Sequence, residues 1–220
     1  MITLKDVHKR YQTAHGGNWV LRGLTLSFPH DRNVAVIGVN GAGKSTLIRL
    51  LSGVDTPTRG EIQCDSRVSW PIGLTGGLLD PLTGRQNARF VCRIHGFGDN
   101  LADRIRFVED FSELGKAFDD PVWTYSTGMR ARLSFSLSLA FEFDIYLVDE
   151  VISVGDTAFR IKSRKAFDEL AKRAGMIVAS HDETIIKNFC HAGIWLHDGQ
   201  AHWFDSAADA LAEYRKSVPA

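Results

Sequence analysis

The segment Gly38-Val39-Asn40-Gly41-Ala42-Gly43-Lys44-Ser45 has the spacing G-x-x-x-x-G-K-[ST]. Its residue types follow from what a phosphate chain requires. Backbone N–H groups must close around the anion and side chains would block them, so glycines recur. A helix beginning near Lys44 aims its unpaired N–H groups and its dipole at the same charge. Lys44 can reach the β- and γ-phosphates, and the Ser45 hydroxyl can ligate Mg²⁺. Candidate phosphate contacts therefore run from Gly38 through Thr46. A second constellation is Asp149-Glu150, which directly follows the apolar run Ile145-Tyr146-Leu147-Val148. Two carboxylates at the end of a buried parallel strand lie where α/β proteins bind ligands. Asp149 fits a water-mediated Mg²⁺ ligand, and Glu150 fits a group that orients and polarises an attacking water. With Lys44 they supply the positioning and charge neutralisation that phosphoryl transfer needs. A third element is Tyr125-Ser126-Thr127-Gly128-Met129-Arg130-Ala131-Arg132, where Ser126 reads as the N-cap of a helix running to about Phe141. A serine hydroxyl, a glycine and a helix N-terminus can hold an anion, although most such caps only cap.

These residues need a scaffold, and the hydrophobic pattern outlines one. Ile2, Leu4 and Val7, then Leu24, Leu26 and Phe28, read as strands with one buried face. Asn33-Val34-Ala35-Val36-Ile37 is a nearly continuous apolar run, the mark of a strand buried on both faces in a parallel sheet. A helix follows the glycine-rich loop over residues 45–52 and closes at Gly53. Buried strands recur at 145–148 and 176–179, each preceded by a helical pattern. Residues 84–143 show helical periodicity (Leu101, Ile105, Val108, Phe111, Leu114) and read as a lobe inserted between sheet strands. Residues 194–197 and 201–204 flank Asp198-Gly199 as a hairpin, and 206–216 reads as an amphipathic helix.

The chain of 220 residues suits one domain, or one domain with a lobe. Its 44% hydrophobic and 24% charged content excludes a wholly disordered chain. Lys and Arg total 26, as do Asp and Glu. Zero net charge argues against a nonspecific nucleic-acid binder. No apolar run approaches the ~18 residues of a membrane span, and the N-terminus carries charge where a signal peptide would be apolar. A cytoplasmic chain, or one attached to a membrane through a partner, is expected. Cys64, Cys92 and Cys190 form no CxxC, and His181, His191, His197 and His202 have no HxxxH or HExxH spacing, so neither set reads as a metal site. Trp19, Trp70, Trp123, Trp195 and Trp203 are expected in core or interface packing rather than in sugar stacking.

In this order, the motifs resemble those of the ATP-binding subunit of ABC transporters over essentially the whole chain. The resemblance implies an α/β fold: a P-loop NTPase with a RecA-like parallel sheet core, an antiparallel β-subdomain and an inserted helical subdomain. Residues 1–220 would form a single ABC ATP-binding domain, with the helical subdomain at about 84–143. It implies ATP and Mg²⁺, and a homodimer that sandwiches each ATP between one subunit's phosphate loop and its partner's signature loop. Ser126, Thr127 and Gly128 would belong to that signature loop, reading Y-S-T-G-M. Tyr11 would stack on adenine, His181 would contact the γ-phosphate, and residues 153–156, ending in Asp156, would form the D-loop. The chain departs from the family where a glutamine is usual, near Gly73 or Leu74, and Gln86 lies too far along to replace it. The usual side-chain link from this loop to Mg²⁺ is therefore in doubt.

Trp70-Pro71-Ile72-Gly73-Leu74-Thr75-Gly76-Gly77, residues 82–87 and the V-G-D of residues 154–156 look like the polysaccharide-exporting branch. The chain stops soon after its last helix, which favours a capsule-type exporter over O-antigen types with an added domain. That branch implies a peripheral subunit on the cytoplasmic face of the inner membrane, with two integral membrane permease subunits. Through them it would meet periplasmic and outer-membrane export components. The helical lobe near 78–97 would carry the coupling surface, and no nucleic acid is expected. Three alternatives stay open: an ABC ATPase for another exported substrate (O-antigen, teichoic acid, lipid or drug), a soluble one acting on nucleic acid, and a silent regulatory one.

Overall fold

Two long strands near the N-terminus form the antiparallel layer. β1 (Ile2–Thr13) pairs with β2 (Gly16–Phe28) on one edge. The step of three from Leu4 to Val7 would turn Val7 outward in a regular strand. A register shift there, with Asp6 at φ 49°, returns Val7 to the core, so Ile2, Leu4 and Val7 are all fully buried. β3 (Val34–Ile37) is buried at every position, as its unbroken apolar run requires. After the glycine-rich loop comes α1 (Lys44–Leu51). β4 (Arg59–Cys64), on the other edge of β1, and β5 (Val68–Ile72) complete this stretch.

The computed structural model describes residues 1–13, 16–72, 77–95, 100–149, 156–180 and 182–217. They group into two units. The first is Met1–Pro71, Phe143–Glu150 and Leu170–Ala220, and the second is Ile72–Glu142 with Val151–Glu169. The helical lobe read at 84–143 thus also draws in a later segment.

The helices of the second unit are α2 (Gly84–Ile94), α3 (Leu101–Ser112), α4 (Thr127–Leu139) and most of α5 (Thr157–Ala171). Phe111, Phe135 and Phe159, one each from α3, α4 and α5, meet with centroids 5.9–6.4 Å apart. α4 is buried at six successive positions, 133–138. The hydroxyls of Ser136 and Ser138 there donate to the carbonyls of Arg132 and Ser134, which lets polar residues sit in an apolar interior.

The first unit holds the main sheet, with β6 (Ile145–Asp149), β7 (Gly175–Ala179), β8 (Ala192–His197) and β9 (Gln200–Phe204) in the order β5-β6-β7-β3-β8-β9. β6, β7, β3 and β8 run parallel, and β8–β9 is the expected hairpin. Asp198 and Gly199 both have positive φ, the requirement of a type I′ turn. α6 (Glu183–Phe189) and α7 (Ala207–Ser217) follow β7 and β9. One core joins Leu4, Leu24 and Phe28 of the antiparallel layer, Leu47 and Leu51 of α1, and Val36, Leu147 and Ile177 of the main sheet. Each such side chain stabilises the fold by about 1.5–3 kcal/mol. α1 is thereby clamped between the two sheets with its N-terminus at the end of β3. Among the described residues no helix is long and apolar enough to cross a membrane.

Candidate functional site

The phosphate loop joins the end of β3 to α1. Gly43 is the N-cap of α1, at φ 103°, and a Cβ there would lie 2.9 Å from Leu21 Cδ2. No side chain caps α1 and its first turn holds no acidic residue, so the positive end of its dipole is turned toward the loop. Lys44 is 6% exposed, and its ammonium donates to the carbonyls of Gly38 (2.8 Å) and Val39 (3.1 Å). Ser45 is exposed and Thr46 half-buried. The Ser45 hydroxyl donates to Asp149 Oδ1 at 3.3 Å. The two residues are 104 positions apart, and the parallel sheet brings them together. A hydroxyl and a carboxylate are both hard oxygen donors, so the pair suits Mg²⁺. Asn18, Trp19 and Val20 of β2, residues 39–42 of the loop and the 198–199 turn border an open cleft of about 590 Å³. That size is within the range of small-ligand sites.

Asp149, half-buried, is the last residue of β6, and the four before it are buried in the core. The Ser69 hydroxyl accepts from Leu147 N at 2.9 Å and so pins this strand end. Tyr11 lies on β1 opposite Asn18, one strand away from the cleft wall. Its hydroxyl donates to Asp55 Oδ2 at 2.7 Å, and the Lys9 ammonium sits 4.9 Å from the ring centroid. Burial pushes the Asp55 carboxyl up, but hydrogen bonds from Lys9, Tyr11 and the Thr56 N–H together outweigh it and hold the carboxyl below its ordinary value.

In the second unit, Ser126 Oγ accepts from Met129 N at 3.2 Å, the capping geometry its position predicts. Ser126 and Thr127 are exposed and Gly128 is half-buried. Tyr125, 6% exposed, anchors this loop by donating to Ala117 O at 2.5 Å. Asp156 accepts from Phe159 N at 3.0 Å and pairs with Arg132 at 2.6 Å. Those backbone N–H groups, with the Arg132 guanidinium beside them, hold its carboxyl below the usual range. Ser126, Gly128, Arg132 and Asp156 line one cavity of about 510 Å³.

The structure therefore joins Lys44, Ser45 and Asp149 at one end of α1, and Ser126, Gly128 and Asp156 around the start of α4. Glu150, His181, residues 153–155 and the Gly73–Leu74 position lie outside the described residues. Gln86 is engaged at the start of α2, where its side chain accepts from Thr83 N at 2.9 Å in a capping box. Of the five tryptophans, Trp19, Trp70, Trp195 and Trp203 are half-buried and Trp123, on a single turn, is 60% exposed. Sequence reasoning missed Asp55 and gave Arg132 no role. Only the i, i+2 spacing of Lys9 and Tyr11, which places them on one face of a strand, signalled the first cluster.

The comparisons agree with this geometry. Residues 21–153 match the model of the family described as ABC transporter. The chain is 45% identical over 219 residues to the polysialic acid transport ATP-binding protein KpsT of Escherichia coli, covering 99% of this chain and 100% of that one. It is 42% identical to the capsule polysaccharide export ATP-binding protein CtrD of Neisseria meningitidis, with both chains fully covered. A solved dimeric ATP-binding cassette in a post-hydrolysis state, bound to ADP and phosphate, superposes with a TM-score of 0.77 at 22% identity, covering 92% of this chain and 97% of that one, and carries the fold. A phosphate loop at the end of a buried parallel strand, an acidic residue beside its serine and relatives matched from end to end lead to one conclusion: this chain belongs to the ABC transporter family.

Proposed function

We propose that this chain is the ATP-hydrolysing subunit of an ABC exporter that drives capsular polysaccharide across the inner membrane through a separate permease. The observation that carries the ATPase reading is the Ser45–Asp149 contact at the N-terminus of α1, beside the Lys44 ammonium. The substrate class rests on KpsT and CtrD, whose names specify polysialic acid and capsule polysaccharide. The whole chain 1–220 acts as one ATP-binding domain, with its helical subdomain at about 84–143.

The N–H groups of residues 38–46 bind the phosphate chain of ATP, and Lys44 leaves its loop carbonyls for the β- and γ-phosphate oxygens. Tyr11 stacks on adenine. Ser45, and Asp149 through water, would hold Mg²⁺, which neutralises phosphate charge when bound. Glu150 accepts a proton from the attacking water and orients it, and His181 contacts the γ-phosphate. Ser126, Thr127 and Gly128 at the exposed start of α4 contact the ATP held by a second copy, and Asp156 belongs to the D-loop at the same nucleotide site. The dimeric form of the solved neighbour supports two copies working together. The chain works at the cytoplasmic face of the membrane with two permease copies, and periplasmic and outer-membrane components act through that complex. An exposed face of α2, with Phe90 at 41%, Ile94 at 62% and the exposed Arg89 and Arg93, supports residues 78–97 as the surface that meets the permease.

Glu150→Gln tests this reading. The variant is isolated with MgATP from detergent-solubilised membranes of its host, and native mass spectrometry counts the subunits. Two copies with ATP retained, bound to two copies of a multi-spanning protein, and turnover nearly abolished is the expected result. Unchanged turnover would reject Glu150 as the base, and a dimer bound to nucleic acid or to no membrane protein would reject export.

A further inference from the structure

We propose that Lys9 and Asp55 are positioning residues for Tyr11, holding its ring as a preset platform for the purine of ATP; this rests on the reading of Tyr11 as the base-stacking residue. Lys9 and Tyr11 are two apart on β1 and project on the same face. Asp55 bridges them: Oδ1 accepts from Lys9 Nζ at 2.6 Å, and Oδ2 accepts from the Tyr11 hydroxyl at 2.7 Å. Lys9 Nζ also donates to Thr56 O at 2.8 Å, which fixes the ammonium against the Tyr11 ring.

The Lys9 and Asp55 side chains are only 10% and 17% exposed, so the clamp is shielded from competing water. Asp55 is itself held, since its N–H donates to Arg49 O at 3.2 Å in the last turn of α1. The base platform is therefore tied to the far end of the helix whose first turn carries Lys44 and Ser45. Eight residues of helix form a stiff spacer of about 12 Å, so phosphate site and base platform are fixed relative to one rigid element. The ammonium takes one face of the ring by a cation–π contact, and this reading assigns the opposite face to the base. A ring already ordered does not lose its rotameric freedom when nucleotide arrives, which corresponds to about three- to tenfold in affinity.

The test is equilibrium binding of ATP and of inorganic triphosphate, both with Mg²⁺, to the full chain and to Tyr11→Ala, Tyr11→Phe and Asp55→Asn, with melting temperatures recorded. Tyr11→Ala should weaken ATP by about five- to 150-fold, the range for loss of one base–aromatic stack, and leave triphosphate unchanged. Tyr11→Phe keeps the ring and removes only its tether. It and Asp55→Asn should each weaken ATP about three- to tenfold with triphosphate unchanged. Wild-type ATP affinity in both, alongside a weakened Tyr11→Ala, overturns the positioning role and keeps the stacking reading. Equal weakening of ATP and triphosphate in Asp55→Asn makes Asp55 a structural tie and also overturns it. Unchanged ATP binding in Tyr11→Ala removes the stacking reading and this inference together. Should Asp55→Asn not fold, Tyr11→Phe decides alone.

Discussion

Two glycines of the phosphate loop separate backbone strain from steric crowding. Gly41 has φ 83° and open space where a Cβ would stand, whereas Gly43 has φ 103° and a Cβ would meet Leu21 Cδ2 at 2.9 Å, Val20 Cγ1 at 3.0 Å and Val20 O at 3.3 Å. Gly41→Ala therefore carries only the penalty of a left-handed non-glycine residue, about 1–2 kcal/mol. Gly43→Ala carries that penalty and an overpacking term of about 1–3 kcal/mol. For a chain of this size each kcal/mol lowers Tm by about 2–4 °C. Gly41→Ala should then melt about 2–8 °C below the wild type, and Gly43→Ala about 4–20 °C below and always lower than Gly41→Ala. The loop can also relieve Gly43→Ala by swinging off β2, which moves its N–H groups away from the phosphates. ATP affinity should consequently fall more steeply for Gly43→Ala than for Gly41→Ala. Calorimetry and ATP titration of both variants decide the matter. Equal losses of Tm, or a larger loss in Gly41→Ala, would show that the packing of β2 against the loop does not set its conformation.

Cysteine reactivity should follow burial. Burial pushes the Cys190 thiol up to about 12 and raises Cys92 as well, whereas Cys64 is exposed. Iodoacetamide at about pH 8 should therefore label native protein at Cys64 first, and peptide mass spectrometry showing Cys190 labelled as fast would contradict this packing. The acid limb of stability should carry the mark of Asp55. Its folded carboxyl lies below the ordinary 3.8, so the native state binds fewer protons, and the cluster's stabilisation is complete above that value and lost as pH falls through the lower folded one. In urea unfolding, the deficit of Asp55→Asn should be clear at pH 7 and shrink at about pH 3. A constant deficit would mean that Asp55 does not act through its charge.

The legible parts of this protein are those whose physics is local in sequence. The phosphate loop is one continuous segment, because a phosphate chain needs consecutive N–H groups, and its place between β3 and α1 matches the expectation. Asp149 could be read because the four fully buried residues before it announce a strand end. β4 and β5 were not read. β4, Arg59-Gly60-Glu61-Ile62-Gln63-Cys64, has no buried position and so no alternation to detect. β5 contains Pro71, which demotes a strand in sequence but is tolerated at the edge of a sheet, where β5 lies. The step of three at Val7 likewise needed a bulge that no composition rule signals.

Side-chain networks behave differently, since their members are brought together by tertiary pairing. Tyr11 and Asp55 are 44 residues apart, and Arg132 and Asp156 are 24 apart. In each pair one member was legible, Tyr11 or Asp156, and the other was not. The illegible member is the one that pairs with it from another element. Asp55 lies in a turn with no motif of its own, and Arg132 sits on α4 where any long cation would satisfy a helical pattern. A motif records which atoms must touch the ligand, because ligand chemistry restricts those positions to few residue types. What holds those atoms still can be supplied by many residue pairs, provided the fold brings the two together. For Tyr11 the fold does so by ending α1 at Leu51, whose following turn presents Asp55 beneath β1. The same eight-residue helix therefore begins with Lys44 and Ser45 and leads, just beyond its C-terminal end, to the Asp55 that holds Tyr11.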